Sequence, residues 1–327
     1  MLTNSSAEFG LFWGADLYQY MDNKPPIIEN FLYKNDAICI FAQPGVGKSI
    51  LALELMSNLT TGEPLLGTYA IPHPQNVMYI QTEGDRAETI ERITNMKRGI
   101  AIDDERWAHM NLPGLAINTE KGYEELNRLM EGCPIPIHVI ILDPLYTTVK
   151  GSMINDDVAT DWIRNLRRIK EKYDCSIIVN HHEGKIGYSS DGTAIDRGAA
   201  NVFGSNFWAA FFNSTYRLKR SSQDSFILES GKQRSGKIFD SIAMKLLEPV
   251  PLMFVHSDDL DSSTRMARLD IILKSEATKW FTINQLQKLL GASRATVYRA
   301  IGELKGKRLV DVKHDNGLAY YKGVVNG

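Results

Sequence analysis

The sequence has little of what marks a secreted, disulfide-bonded or membrane-spanning protein. It contains only three cysteines in 327 residues, Cys39, Cys133 and Cys175, too few and too scattered for a disulfide framework or a zinc site. No apolar run approaches the roughly 20 residues that a membrane helix requires. No basic start followed by an apolar core marks a signal peptide. We therefore expect a protein of the reducing cytoplasm with no membrane partner.

The chain also lacks a large net charge, but its charge is unevenly distributed. The formal net charge is −2. From Ser262 to Gly327 there are 12 Lys/Arg and 5 Asp/Glu, so this segment carries 12 − 5 = +7 and the remainder carries −2 − 7 = −9. A basic segment on an acidic body predicts an appendage that faces nucleic acid.

One stretch carries the strongest signal for chemistry. A run of apolar residues, Ile38–Ala42, leads into a glycine-rich loop and then into a helical apolar pattern. This order is that of a P-loop, in which backbone N–H groups surround phosphate oxygens at a helix N-terminus. Lys48 adds a positive charge at the β- and γ-phosphates, and the hydroxyl of Ser49 is a ligand for Mg²⁺. Ala42 stands where the motif has its first glycine. We expect ATP and Mg²⁺ to be bound, with nucleotide contacts from Gln43, Pro44, Gly45, Val46, Gly47, Lys48, Ser49 and Ile50.

Further buried strands alternate with helical patterns, which predicts an α/β fold with a mostly parallel sheet flanked by helices. In such sheets, ligands bind at the carboxyl ends of the strands. Glu83, Asp143 and His182 each stand at such an end. Asp143 is predicted to hold Mg²⁺ through its water shell, Glu83 to be the general base, and His182 to contact the γ-phosphate. Each residue also has a structural alternative. Asp143 would then be a capping carboxylate at a strand end, Glu83 a solvated glutamate in a turn, and His182 a hydrogen-bonded structural histidine.

Together these residues resemble the RecA/DnaB superfamily of P-loop ATPases. The resemblance rests on Ala42–Ser49, on Glu83 after the second strand, on Ile140–Asp143, and on His181–Lys185, and it covers about residues 20 to 255. Within the superfamily the chain is most similar to the RepA-type hexameric replicative helicases. The resemblance implies a RecA-like domain that assembles as a homo-oligomeric ring, a hexamer in that family, and acts on single-stranded or forked DNA.

The resemblance also implies a residue that acts on a neighbouring subunit. Residues 231–236 resemble the Lys-x-Arg-x-Gly turn of DnaB-type helicases, which places an arginine finger at Arg234 with Lys232 beside it. RepA-type helicases carry an arginine about ten residues after an Arg-Gly pair, a position that falls near Phe207 here. Arg217 is a second candidate for the finger. The alternative is that Lys232 and Arg234 only solvate a hairpin.

Two loops correspond to the DNA-binding loops that line the central channel in this superfamily. They are residues 147–157, after Asp143, and residues 185–205, after His182. Basic side chains there would contact phosphates and an aromatic ring would stack on a base. The residues assigned to these contacts are Lys150, Lys185 and Arg197 for phosphates and Tyr188 for a base. The alternative is that these basic side chains are simply solvated.

The basic C-terminal segment has the pattern of three helices and a hairpin, which resembles a winged helix. Ser293–Lys305 stands in the recognition position, and Arg294 and Arg299 on its exposed face are predicted to meet DNA. Many winged helices bind proteins instead, and that alternative remains open.

These observations define four predicted segments: a lead-in at 1–34, a RecA-like ATPase domain at 35–256, a linker at 257–263 and a winged-helix domain at 264–327. The predicted function is that of an ATP-dependent, ring-forming DNA helicase or translocase in DNA replication. One alternative is an ATPase that loads or remodels nucleic acid without processive unwinding. Another is an ATP-gated DNA-binding regulator.

Overall fold

The computed structural model describes residues 24–184, 187–188, 194–195, 202–222, 224–235, 241–248, 251–256, 269–270, 272–274, 279–290, 294–306, 308–315 and 318–324. The strands are β1 (Pro26–Ile28), β2 (Leu32–Tyr33), β3 (Ala37–Ala42), β4 (Val77–Gln81), β5 (Trp107–Asn111), β6 (Val139–Asp143), β7 (Ser176–His182), β8 (Gly187–Tyr188), β9 (Ala194–Ile195), β10 (Ser214–Arg220), β11 (Ser225–Gln233), β12 (Ile242–Leu247), β13 (Met253–His256), β14 (Phe281–Thr282), β15 (Val310–Asp315) and β16 (Leu318–Gly323). The helices are α1 (Lys48–Thr61), α2 (Arg86–Met96), α3 (Glu120–Glu131), α4 (Asp156–Tyr173), α5 (Asn206–Phe211), α6 (Ile283–Leu290) and α7 (Arg294–Gly306).

A nine-stranded sheet of order β13-β12-β11-β10-β3-β7-β6-β4-β5 forms the body of the protein. In this order, the six strands β10-β3-β7-β6-β4-β5 each run parallel to their neighbours. The strands β13-β12-β11-β10 at the other side of the sheet pair antiparallel. The P-loop strand β3 therefore lies inside the sheet, between β10 and β7. The predicted α/β fold, with a mostly parallel sheet flanked by helices, is confirmed.

Helices cover both faces of this sheet, and strand β3 shows why. Every residue of β3 is buried. Ile38 and Ile40 pack in one core with Leu51 of α1, whereas Cys39 and Phe41 pack in a second core that includes α3, α4 and α5. Successive side chains of a strand point to opposite faces, so a strand with a core on each side must be apolar throughout. The same reason accounts for the apolar runs of β4 and β6.

Helix α4 begins at Asp156, inside the predicted DNA-binding loop 147–157. The side chain of Asn155 accepts hydrogen bonds from the backbone N–H groups of Asp157 and Val158. This cap and the acidic first turn suit the positive end of a helix, so polar residues extend the helix beyond its apolar stripe. The predicted loop 147–157 is correspondingly shorter.

A smaller unit with its own core follows towards the C-terminus. Strands β14, β16 and β15 form a three-stranded sheet. Helices α6 and α7 and the helical residues at 269–270 and 272–274 supply most of its core. Helix α6 begins after Thr282, whose side-chain hydroxyl accepts a hydrogen bond from the N–H of Gln285 and so caps the helix. These elements are those expected of a winged helix, whose assignment remains a prediction. The predicted linker 257–263 lies outside the described residues. None of the described helices is both long and apolar enough to cross a membrane.

Candidate nucleotide-binding site

The loop between β3 and α1 has the backbone geometry that phosphate binding requires. Gly45 has φ +75° and Gly47 has φ +103°, in the left-handed region that favours glycine. A Cβ at Gly47 would lie 3.1 Å from Cζ of Phe254, so a side chain there is disfavoured by packing as well as by strain. Helix α1 begins directly after Gly47 and has no acidic residue in its first turn. Its N-terminal N–H groups and dipole therefore favour an anion.

Lys48 is held at the mouth of this loop by the loop itself. Its side chain is buried, and its Nζ donates hydrogen bonds of 3.1 Å to the backbone carbonyls of Ala42 and Gln43. Burial lowers the pKa of Lys48, and the nearby carboxylates of Asp143 and Glu83 oppose that shift. Phosphate oxygens would act in the same direction as these carboxylates, so the site favours the charged ammonium when an anion binds.

Asp143 ends strand β6 and is buried beside the P-loop. In the register of the sheet it lies opposite Gln81 of β4. Two residues earlier on β4, Tyr79 donates a hydrogen bond of 2.6 Å from its hydroxyl to Oδ2 of Asp143. Tyr79 therefore orients the carboxylate. No sequence motif points to Tyr79, because motif spacing does not show that β4 and β6 are neighbours.

Glu83 lies two residues beyond β4, where Tyr146 contacts it. Tyr146 donates a hydrogen bond from its hydroxyl to Oε1 of Glu83. Its ring also packs against His182, with centroids 4.6 Å apart. The pKa of Glu83 is raised, mainly by partial burial and secondly by the negative charge of Asp143. The pKa of His182 is lowered, mainly by burial and secondly by the positive charge of Lys48. The site thus combines a carboxylate of increased basicity with an imidazole that favours its neutral form.

A cavity of about 470 Å³ brings these groups together at the carboxyl edge of the sheet. It is lined by Pro44, Gly45, Gly47, Lys48, Ser49, Ile50, Glu83, Arg92, Asp143, Pro144, Tyr146 and His182. Of the predicted nucleotide contacts, Gln43 and Val46 do not line this cavity, and Gln43 instead supplies a carbonyl to Lys48. Arg92 lines the cavity although the sequence analysis did not include it. Helix α2 begins at this edge, at Arg86, and so carries Arg92 past the site.

The cavity suits Mg²⁺ that arrives with a nucleotide. Ser49 and Asp143 both line it and provide a hydroxyl and a carboxylate. Across the described ranges, no group of three or more His, Cys, Asp or Glu side chains is arranged to hold a metal ion. Mg²⁺ is commonly bound by one or two protein oxygens together with phosphates and water, so this donor set fits the cation.

The predicted finger residue lies at the opposite edge of the sheet. Gln233, the last residue of β11, pairs with Ser214, and Ser214 pairs with Ile38 near the start of β3. The P-loop follows Ala42, four residues further along β3, or about 13 Å at the usual rise of a strand. Arg234 comes directly after Gln233, is exposed and does not line the nucleotide cavity.

The other two candidates for the finger are engaged within the chain. Lys232 lies within β11 rather than in a turn, and its Nζ donates to the carbonyls of Ala209 and Ala210 at 2.9 Å each. Burial, and then Arg234, lowers the pKa of Lys232 to about 8. Arg217 is buried and forms an ion pair with Glu183.

The predicted nucleic-acid contacts are only partly described. The side chain of Lys150 is exposed, and its backbone N–H donates to Oδ1 of Asn118 at 2.7 Å. Arg294 and Arg299 are predicted contacts on α7; Arg294 is exposed, and its guanidinium lies 5.8 Å from the ring centroid of Tyr298. Lys185, Arg197 and the side chain of Tyr188 lie outside the described residues.

Comparison with known proteins places this geometry in a family. The chain is similar in structure to a solved ATPase domain, with a TM-score of 0.52 and 14% identity, over 78% of this chain and 98% of that one. It is also similar to a DnaB-like replicative helicase studied for its interactions with primase, with a TM-score of 0.53 and 14% identity, over 77% of this chain and 69% of that one. No curated protein matches the sequence. The family model described as AAA domain matches residues 6–187, more than half of the 327 residues. The chain therefore belongs to the AAA domain family, and its body has the fold of these two solved structures.

Proposed function

We propose that this protein is an ATP-dependent DNA helicase or translocase that works as a ring and acts in DNA replication. The proposal depends above all on one observation. The nucleotide cavity gathers a P-loop lysine, a candidate Mg²⁺ carboxylate and a candidate base at one edge of the sheet, while Arg234 stands exposed at the other edge. An ATPase that completes its site with an arginine from a neighbour must assemble.

Each group in the cavity has a role that follows from its chemistry. The N–H groups of the P-loop and the ammonium of Lys48 bind the phosphates. Ser49 and Asp143 would hold Mg²⁺, which would supply positive charge beside the phosphates. Glu83 accepts a proton from the attacking water. His182 donates a hydrogen bond to the γ-phosphate, which its neutral form can do without adding charge.

Arg234 is proposed to act across the subunit boundary. Arg234 lies near the start of β3, whereas the P-loop of the same chain follows the end of β3, and the side chain of Arg234 is exposed. Lys232 would need to give up two carbonyl partners, and Arg217 would need to leave a buried ion pair with Glu183. These costs favour Arg234 as the finger.

The DNA track is proposed to run past Lys150 and, outside the described residues, Lys185 and Arg197. Lys150 comes seven residues after Asp143 and four after Tyr146, both of which line the nucleotide cavity. A DNA contact at Lys150 would therefore be linked to the nucleotide site by a short segment of chain. Arg294 and Arg299 are proposed to add contacts from a winged helix. One of the similar solved structures is a DnaB-like replicative helicase, which supports a DNA track for the ATPase domain.

The basic residues of α7 favour one second candidate, an ATP-gated regulator that recognises a duplex site. Unwinding of a forked DNA with ATP, measured beside the native mass of the assembly, separates the two. Strand separation by a ring-sized oligomer supports the helicase. A monomer or dimer that binds one duplex sequence with a large specificity ratio and separates no strands would contradict it. An oligomer that hydrolyses ATP on DNA without separating strands would indicate the loading or remodelling alternative.

A further inference from the structure

A second cavity of about 670 Å³ lies between α1, the loop after α2, and β13. It is lined by Glu54, Asn58, Glu63, Pro64, Leu66, Gly67, Gly99, Ile100, Ala101, Met253, Phe254, Val255 and His256, and it shares no lining residue with the nucleotide cavity. Most of its wall is apolar. Phe254 separates it from the P-loop, because the ring of Phe254 also packs against Gly47.

Two buried polar side chains interrupt this apolar wall. Glu54 and Asn58 are one turn apart on α1 and so lie on the same face of the helix. Their residues are only 2% and 6% exposed. Oε2 of Glu54 accepts a hydrogen bond of 2.7 Å from the N–H of Phe254. The pair is therefore fixed in place by the helix and by the neighbouring strand.

Asn58 is left with an unused acceptor. Its Nδ2 donates to the carbonyl of Pro64 at 3.4 Å, while its Oδ1 is buried and has no hydrogen-bond partner in the structure as described. A buried acceptor without a donor is costly, since it has lost its water without replacement. Asn58 lines the cavity, so rotation of its side chain on ligand binding would offer this buried acceptor to a donor from the ligand.

The titratable side chains in the described lining of the cavity are mostly acidic. Burial raises the pKa of Glu54 to about 8, and the N–H of Phe254 opposes this rise. The other titratable side chains in the lining are Glu63 and His256, and the lining as described contains no lysine or arginine. A cation in the cavity would favour the carboxylate form of Glu54, because an opposite charge offsets the cost of desolvation.

We propose that this cavity is a binding site for a small organic amine, with an apolar ring or chain against the wall and a hydrogen-bond-donating ammonium between Glu54 and Asn58. Ligand sites are mostly apolar cavities with a few convergent polar groups that fix orientation, and this cavity has that composition. The occupant lies behind the P-loop, on the far side of Phe254, and not in the phosphate site.

The test is ¹⁹F NMR titration of the full chain with three matched probes: 4-fluorobenzylamine, 4-fluorobenzyl alcohol and 4-fluorobenzoate. The amine should bind at least about tenfold more tightly than the alcohol, the difference expected for a hydrogen bond to a charged group, and the benzoate should not bind. Equal affinity for the three probes would overturn the proposal.

Variants locate the probe. Ala101→Phe places a ring at the exposed rim and should weaken amine binding at least about tenfold, by steric exclusion. Glu54→Gln keeps an acceptor for the N–H of Phe254 and should remove the preference for the amine over the alcohol. Thermal unfolding midpoints equal to that of the unmodified chain verify that both variants are folded. Unchanged amine binding in Ala101→Phe would overturn the proposal.

A final control separates this site from the nucleotide site. Lys48→Ala removes the phosphate-binding ammonium and should leave amine binding unchanged. Loss of amine binding in Lys48→Ala would place the probe in the nucleotide cavity and contradict a second site. Loss of ATP hydrolysis alone would leave the amine site intact, so the two proposals fail independently.

Discussion

The hydroxyl of Tyr146 donates a hydrogen bond to Oε1 of Glu83, so the candidate base is already engaged within the chain. Tyr146 is also the first residue of the 3₁₀ turn Tyr146–Thr148, which leads towards Lys150 in the predicted DNA loop. Its ring contacts His182. A single side chain therefore connects the candidate base, the predicted phosphate contact and the segment that leads to the predicted DNA contact.

Removing this hydroxyl should shift the pH dependence of hydrolysis. A hydrogen bond donated to a carboxylate stabilises its charged form, so Tyr146→Phe should raise the pKa of Glu83 further above its ordinary value. The acidic limb of the kcat/KM profile should then move to higher pH by about one unit or more, since a hydrogen bond to a charged group contributes about 1.5–3 kcal/mol and one pKa unit corresponds to about 1.4 kcal/mol. A pH profile of ATP hydrolysis measures this shift.

A matched control for that experiment is Tyr123→Phe. Tyr123 lies on α3, next to Arg168, and does not line the nucleotide cavity. Its profile should match that of the unmodified chain. Superimposable acidic limbs for Tyr146→Phe and the unmodified chain would show that Tyr146 does not influence the base.

Glu83→Gln should separate nucleotide binding from turnover. The amide has nearly the same shape as the carboxylate but cannot accept the proton of the attacking water. We expect turnover to fall by at least about 10², while nucleotide binding and assembly are retained. Single-turnover hydrolysis and nucleotide titration provide the two measurements. Normal turnover in this variant would place the base elsewhere.

Deleting residues from 263 onward should weaken DNA binding and leave ATP hydrolysis intact. Among the described residues, the core of the C-terminal unit shares no member with the two cores of the large sheet, so the ATPase body should keep its packing. The deletion removes a segment of charge +7, which should flatten the dependence of affinity on salt. DNA titrations at several salt concentrations measure the slope. Unchanged affinity together with an unchanged slope would contradict a DNA-binding role for this unit and favour a protein partner.

The sequence predicted the parallel body of the fold and its cavity edge well, because both depend on local signals. A strand such as β6 is buried on both faces and therefore reads as a continuous apolar run, and the P-loop has a fixed spacing of glycines and lysine. Since the carboxyl ends of parallel strands share one edge, Glu83, Asp143 and His182 follow from strand order alone.

What the sequence did not predict depends on contacts between segments that are distant in the chain. Tyr79 reaches Asp143 because β4 and β6 are neighbours, and Arg92 reaches the cavity because α2 starts at its edge. Neither residue stands in a motif. Lys232 was expected in a turn, but β11 continues to Gln233, which pairs with Ser214 of the neighbouring strand. The N–H of Lys232 itself donates to the side-chain Oγ1 of Thr215. The roles of the site residues remain predictions.

The decisive prediction concerns the two residues that the sheet places at opposite edges, Lys48 and Arg234. Arg234→Ala subunits keep a sound P-loop, and Lys48→Ala subunits keep a sound finger. Each variant alone should be nearly inactive. Lys48→Ala lacks the ammonium that binds the phosphates, and Arg234→Ala lacks an arginine whose supply in trans contributes about 10³–10⁵ in turnover. An exposed surface charge without such a role would contribute well under about 1 kcal/mol. Mixed rings contain interfaces in which an intact Lys48 of one subunit meets an intact Arg234 of the next, so mixing should restore measurable ATP hydrolysis. Native mass measurement establishes that the subunits co-assemble. A co-assembled mixture as inactive as its parts would show that Arg234 does not act across the subunit boundary. Arg234→Lys tests whether the planar guanidinium is needed, since a lysine retains the charge but cannot bind two phosphate oxygens at once.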